Sequence, residues 1–120
     1  PLIPKGKQII TSYGEGGFTI SETRYEGSIL LLPDRVIAWP ITEFTHIEET
    51  TIQEIVGLTE EVELVLFGCG DVQQFLSPAS KRVLTHQKIA SETMDTGAAC
   101  RTYNVLLAEG RQVAAALIAV

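Results

Sequence analysis

The sequence has few cysteines and no cluster of basic residues, and both features exclude classes of protein. Only two cysteines, Cys69 and Cys100, occur among 120 residues. A chain of this length can build its own core, so we expect a reducing compartment rather than a disulfide-stapled secreted domain. The net charge is −6, whereas a surface that follows phosphates needs concentrated lysine and arginine. We therefore expect neither nucleic acid nor an anionic membrane surface as a partner.

The sequence also lacks long apolar runs and a secretion signal. No run approaches the roughly 20 apolar residues that a helix needs to cross a bilayer. The residues from Pro1 to Lys7 do not show the charged and apolar regions of a signal peptide. These absences predict a chain without a transmembrane segment, in the cytoplasm or in an organelle matrix.

Metal ligands and paired catalytic acids are scarce as well. His46 and His86 have no companions at ligand spacing, and Cys69 and Cys100 do not form a zinc pattern. Adjacent acids such as Glu48-Glu49 are typical of a solvated surface rather than of an acid/base pair with defined geometry. The sequence therefore predicts no metal, no cofactor and no catalytic residue set.

The residues that are present predict a single α/β domain covering 1–120. The hydrophobic fraction is 45% and the charged fraction 20%, which are ordinary values for a folded domain. Residues 1–45 are predicted to be mainly β: a strand over 8–13, an extended segment over 18–20, and a hairpin around Pro33-Asp34. Thr23 to Glu26 is polar, and Pro40 is expected to end a strand or to lie at a sheet edge.

Residues 46–120 are predicted to alternate between helix and strand. Thr50 to Val56 has hydroxyls for a cap, and Gly57 is a candidate helix stop. Ser77-Pro78 starts a second helix, expected to run to about Lys88. Strands are predicted over 63–67, 89–94 and 113–118. This order is typical of parallel strands joined by right-handed crossovers.

The third predicted helix lies in the last third of the chain. Either Asp95 or Thr96 caps its start, and Gly110 follows its end, where a positive φ is favoured. At 100° per residue, one face carries Ala99, Cys100, Tyr103, Leu106 and Leu107.

Four stretches of the chain resemble one protein family. They are MDTGAACRTYNVLLAEGR from Met94 to Arg111, FGCG from Phe67, LSP from Leu76 and GSIL from Gly27. The family is a small one, long described as a domain of unknown function, and its eukaryotic members include a mitochondrial assembly factor of respiratory NADH dehydrogenase (complex I). The resemblance implies a three-layer α/β fold with a central mixed, mainly parallel sheet and a role in assembly. It supplies no catalytic residues.

Two groups of residues are candidates for binding. Gly68 and Gly70 follow a predicted strand, and loops at the carboxyl ends of parallel strands often bind ligands. The starts of the Ser77 and Thr96 helices would then open on one crevice, although a simple tight turn also explains the glycines. On the third helix, Cys100 is either activated by the helix start and Arg101 or simply packed in the core. Arg101 and Asn104 either tie down a neighbouring loop or anchor a partner.

Two functions from different classes follow from these observations. The first is a non-enzymatic interaction or assembly factor, for respiratory NADH dehydrogenase, with a protein partner contacting residues 95–104. The alternative is a small-molecule (anion or carboxylate) binding protein, or a thiol-dependent enzyme using a crevice near Cys100. A homodimer through the third helix is a further expectation. The candidate residues are Gly68, Gly70, Asp95, Thr96, Cys100, Arg101, Tyr103 and Asn104.

Overall fold

The computed structural model describes residues 8–120, so the expectation for Pro1 to Lys7 lies outside the described range. Within that range the strands are β1 (Ile10–Gly14), β2 (Gly17–Ile20), β3 (Thr23–Glu26), β4 (Ile29–Leu31), β5 (Val36–Ala38), β6 (Leu64–Gly68), β7 (Ala90–Met94) and β8 (Val113–Leu117). The α-helices are α1 (Glu49–Leu58), α2 (Pro78–His86) and α3 (Thr96–Ala108).

The first three strands form an antiparallel sheet in the order β1-β2-β3. Each connection is a two-residue turn in which both residues have positive φ: Glu15-Gly16, then Ser21-Glu22. Such turns match the natural twist of a hairpin. The expected N-terminal β meander is confirmed, and the polar segment noted at Thr23 to Glu26 is its third strand.

The remaining strands form a five-stranded mixed sheet in the order β5-β4-β8-β6-β7. β6 pairs in parallel with both β7 and β8, whereas β4 pairs antiparallel with β5 and β8. Four of the five strands therefore run in the same direction. The central mixed, mainly parallel sheet and the hairpin around Pro33-Asp34 are both confirmed.

Alternating side chains of the central sheet build a core on each face. Val65 and Phe67 of β6 face the core that α1 and α2 cover. Leu64 and Leu66 face the core that α3 and the three-stranded sheet cover. Because successive side chains of a strand point to opposite faces, a continuously apolar strand such as β6 is buried on both sides. The result is the expected three-layer arrangement.

The helix boundaries confirm the predicted start of α2 and correct the predicted end of α2 and both predicted ends of α1. Ser77 caps α2, with its Oγ accepting a hydrogen bond from the Ser80 N–H at 3.1 Å, although the helix ends at His86 rather than near Lys88. The predicted stop at Gly57 is wrong, because α1 continues to Leu58. The N-cap of α1 is Glu48, and Thr51 lies three residues further on. Its hydroxyl completes a capping box by accepting a bond from the Glu48 N–H at 3.1 Å.

Candidate functional site

Helix α3 begins at a tightly bonded junction with the ends of two sheet strands. Asp95 is the cap, since its Oδ1 accepts from the Ala98 N–H at 2.9 Å. The fully buried Thr96 has a different role. Its Oγ1 accepts from the Gly70 N–H at 2.9 Å and donates to the Ile118 carbonyl at 2.7 Å. Thr96 therefore fastens the helix start to the segments that follow β6 and β8.

The two candidate glycines lie at this junction. A Cβ added to Gly68 would lie 3.0 Å from the Thr96 Oγ1 and 3.1 Å from its Cα. Gly70 adopts a φ of +96°, a conformation that favours glycine. The side chain of Thr96 thus occupies the space next to Gly68, and the geometry favours a structural turn. Ligand binding at these glycines stays a prediction.

The starts of α2 and α3 belong to different layers. Ser77 precedes the helix that covers one face of the central sheet, and Thr96 begins the helix that covers the other. Both helices follow neighbouring parallel strands, β6 and β7, and a crevice on which the two helix starts open stays a prediction.

Cys100 lies on the buried stripe of α3 with Ala99, Tyr103 and Leu107. Its side chain is 2% exposed, and burial raises the pKa of its thiol to about 12 despite the neighbouring guanidinium of Arg101. The sulfur is therefore protonated at neutral pH, whereas nucleophilic chemistry needs the thiolate. These observations favour a packed cysteine.

Tyr103 is the largest fully buried side chain of the described residues. Its hydroxyl has no hydrogen-bond partner within residues 8–120, and burial raises its pKa. Tyr103 is thus part of the core beneath the three-stranded sheet and does not present a surface to a partner.

Asn104 joins α3 to the first strand. Its Nδ2 donates to the Ile10 carbonyl at 2.7 Å, and its Oδ1 accepts from the Ile10 N–H at 3.0 Å. The carboxamide thus satisfies both backbone groups of one residue, as a neighbouring strand would. We call this pair of bonds the Asn104 clasp.

Arg101 contacts the same strand one turn earlier on α3. Its Nη1 donates to the Tyr13 hydroxyl at 3.0 Å, in an exposed position. Tyr13 reaches across the helix because Gly97 has no side chain: a Cβ there would lie 2.7 Å from the Tyr13 hydroxyl oxygen. Tyr13 and Gly97 are absent from the sequence-based candidates. Glycine has a low helix propensity. Its presence in the first turn of α3 was therefore the one sequence feature that could have indicated a close contact there.

A groove of about 320 Å³ runs between β1 and α3. It is lined by residues 10–13 together with Cys100, Arg101 and Asn104. The candidate residues therefore form two neighbouring groups, one at the Thr96 junction and one in this groove, and Tyr103 lies in the core below.

Within residues 8–120, no three acidic, histidine or cysteine side chains lie together in a way that would hold a metal ion. No helix in the same range has both the length and the apolar character to span a membrane.

These features define the class: a three-layer α/β domain with a groove between a helix and a strand, in which Asp95, Thr96 and Asn104 bond to backbone groups of the same chain. The chain belongs to the family described as "Protein of unknown function (DUF498/DUF598)", whose model matches residues 10–118. The resemblance seen in the sequence is confirmed.

Proteins of two kinds are similar to this chain over most of its length. The NADH dehydrogenase [ubiquinone] 1 alpha subcomplex assembly factor 3 of Bos taurus is 37% identical over 109 residues, which are 91% of this chain and 59% of that protein. An uncharacterised Rhodobacter capsulatus protein is 33% identical over 91% of this chain and 82% of its own length. The chain thus spans well under two thirds of the bovine relative.

A crystal structure of a Bordetella parapertussis protein has the same fold. Its TM-score to this chain is 0.88 at 35% identity, and the match covers 98% of this chain and all of that one. The α/β architecture is therefore shared by a bacterial relative.

Proposed function

We propose that this chain is a non-enzymatic assembly factor that binds a protein partner during the biogenesis of respiratory NADH dehydrogenase. The observation that carries the proposal is the 37% identity to a named assembly factor over 91% of this chain. The matched stretch is long enough to include both cores and α3. Because the bovine protein is longer, the role of its remaining residues is not transferred.

The geometry of α3 supports binding rather than catalysis. The Thr96 junction and the Asn104 clasp use their polar atoms to hold the fold together, and burial keeps Cys100 protonated. Arg101, Tyr13 and Val105 remain accessible on this side, and Val105 is 57% exposed. Arginine and tyrosine are frequent anchors of protein interfaces. We therefore propose that the partner contacts the accessible side chains of residues 95–104, above all Arg101, together with Tyr13 and Val105.

Co-purification from the native host tests this role. The tagged protein is compared with Arg101→Ala and with Arg82→Ala, which removes an exposed arginine from α2 on the opposite face. Mass spectrometry is expected to find NADH dehydrogenase subunits with the wild type and the Arg82 variant, and several-fold fewer with Arg101→Ala. Recovery of the protein alone from all three strains would contradict the proposal.

The location and the oligomeric state belong to the same proposal. We place the protein in the cytoplasm of a bacterium, or in the mitochondrial matrix if the source is eukaryotic, where assembly intermediates are accessible. The exposed Val105 on α3 is the apolar contact expected for a homodimer. A monomeric mass by light scattering at high concentration would exclude that dimer.

A further inference from the structure

Strand β7 is an open edge of the central sheet. It is last in the strand order, beside β6. The Ala90 N–H bonds to the Glu63 carbonyl at 2.9 Å, and the Met94 carbonyl accepts from the Cys69 N–H at 2.8 Å. In a parallel ladder, alternate residues bond to the same neighbour, so Ser91 and Thr93 direct their backbone groups outward. Within residues 8–120 no hydrogen bond reaches those backbone groups.

The opposite edge of the sheet is shorter and better blocked. β5 has three residues and lies between Pro33-Asp34 and Pro40. Short strands and flanking prolines are common protections against unwanted pairing. β7 has five residues and neither protection, and its charged side chain is Glu92.

An exposed apolar loop lies beside the β7 edge. In the segment between β6 and α2, Val72 is 69% exposed and Phe75 is 82% exposed. A groove of about 160 Å³ lies between this loop and the strand, lined by Phe75, Leu76, Lys81, Ser91, Glu92 and Thr93. Single exposed apolar residues are ordinary; here two lie in one short loop, next to unpaired backbone groups.

The charge on β7 indicates which kind of strand the edge accepts. If two copies paired antiparallel with Ser91 of one opposite Thr93 of the other, the two-fold axis would pass at Glu92. The two Glu92 side chains would then lie directly opposite one another, which is unfavourable for like charges. A lysine or arginine at that position of a different protein would instead be attracted.

We propose that β7 and the loop carrying Val72 and Phe75 bind an extended segment of another protein, which adds a sixth strand to the central sheet. The bound segment carries a basic residue opposite Glu92. The next residue of that segment is apolar and contacts Phe75. The two are adjacent because Glu92 pairs with Leu66 and points to the α3 face of the sheet, whereas Ser91 and Thr93 pair with Val65 and Phe67. Their side chains point to the face that α2 covers, where Leu76 beside Phe75 packs. Strand addition gains affinity from main-chain bonds and specificity from side chains. This inference deepens the assembly role and rests on it for the source of the partner.

Site-specific photo-crosslinking in the native host tests the edge. A benzophenone amino acid replaces Phe75, and mass spectrometry identifies the cross-linked peptide. The expected peptide comes from an NADH dehydrogenase subunit or assembly protein and carries adjacent basic and apolar residues. It is then synthesised, labelled and titrated against the purified full chain by fluorescence anisotropy.

Matched variants separate backbone pairing from charge. Ser91→Pro removes an outward N–H, a change that edge strands tolerate, and is expected to weaken binding about tenfold. Ser91→Ala keeps that N–H and is expected to change binding less than about twofold. Glu92→Lys is expected to weaken binding about fivefold, and exchanging the basic residue of the peptide for glutamate should restore it. Thermal unfolding of each variant verifies that it is folded.

The outcomes distinguish the edge from the assembly role. Equal affinity of the wild type, Ser91→Pro and Glu92→Lys, or cross-linking to a second copy, would overturn the edge inference. So would the absence of a cross-linked peptide while NADH dehydrogenase subunits still co-purify, which leaves the assembly role standing. A peptide with the expected variant pattern but from an unrelated protein would support the edge and contradict the assembly role.

Discussion

At the scale of single residues, Asn104 replaces a neighbouring strand for one residue of β1. Both Ile10 backbone groups bond to its carboxamide, and a partly buried backbone group left without a partner is costly. We expect Asn104→Ala to lower the free energy of unfolding by about 2 kcal/mol. Arg101→Ala, which removes one exposed bond to Tyr13, should cost less than about 0.5 kcal/mol. Urea denaturation measures both, and equal losses would contradict a structural role for the clasp.

Cys100 makes a pH-dependent contribution to stability. Burial raises its pKa from 9.0 to about 12, so the unfolded chain releases this proton at a lower pH than the folded chain does. The contribution is therefore complete below pH 9 and declines as the pH rises toward 12, by at most about 1.4 kcal/mol per pH unit.

Urea denaturation between pH 8 and pH 10 measures that decline. In Cys100→Ala the loss of stability with rising pH is expected to be smaller but still present, because burial also raises the pKa of Cys69. Staying at or below pH 10 limits the contribution of Tyr103, whose pKa is raised from 10.0. If stability fell with pH equally steeply in both proteins, burial would not raise the pKa of the Cys100 thiol.

At the scale of elements, the start of α3 packs so closely on Gly68 of β6 that no side chain fits at that position. A Cβ there would press on the Cα of Thr96, so we expect Gly68→Ala to cost about 1–3 kcal/mol. Gly57 is the matched control, since a Cβ at that position of α1 meets nothing within 4 Å. Gly57→Ala should stabilise the protein by about 0.5–1 kcal/mol. Thermal unfolding that ranked the two variants in the opposite order would contradict this description of the junction.

Elements with local signals were predicted well from the sequence. Ser77-Pro78 marks the start of α2 within the sequence itself, and an uninterrupted apolar run marks β6. β3 has no such signal: its residues are polar, and the turn before it, Ser21-Glu22, lacks the glycine or asparagine usual where both φ values are positive. Gly57 was misleading because α1 is held in place by buried Ile52 and Ile55, which outweigh one weak helix former.

The sequence predicted only those parts of the candidate site that are formed by residues close together in the chain. The cap at the start of α3 was narrowed to Asp95 or Thr96, and the buried stripe through Cys100 follows from helix periodicity. The Asn104 clasp joins residues 94 positions apart, so no local pattern could reveal its partner. The contact between Tyr13 and Gly97 depends on the same docking of β1 on α3.

At the scale of the whole molecule, our proposals concern two accessible surfaces of residues 8–120. One is the α3 side with Arg101 and Tyr13, and the other is the β7 edge with Phe75. The proposed use of both surfaces in assembly rests on the similarity of this chain to a named assembly factor.

Deletion of the gene in its native host tests the assembly role most directly. Native gel electrophoresis and NADH oxidation by isolated membranes measure how much NADH dehydrogenase is fully assembled. The assembly role predicts a several-fold loss of the mature enzyme, accumulation of smaller intermediates, and recovery when the wild-type gene is returned. A normal amount of mature, active enzyme in the deletion strain would contradict it.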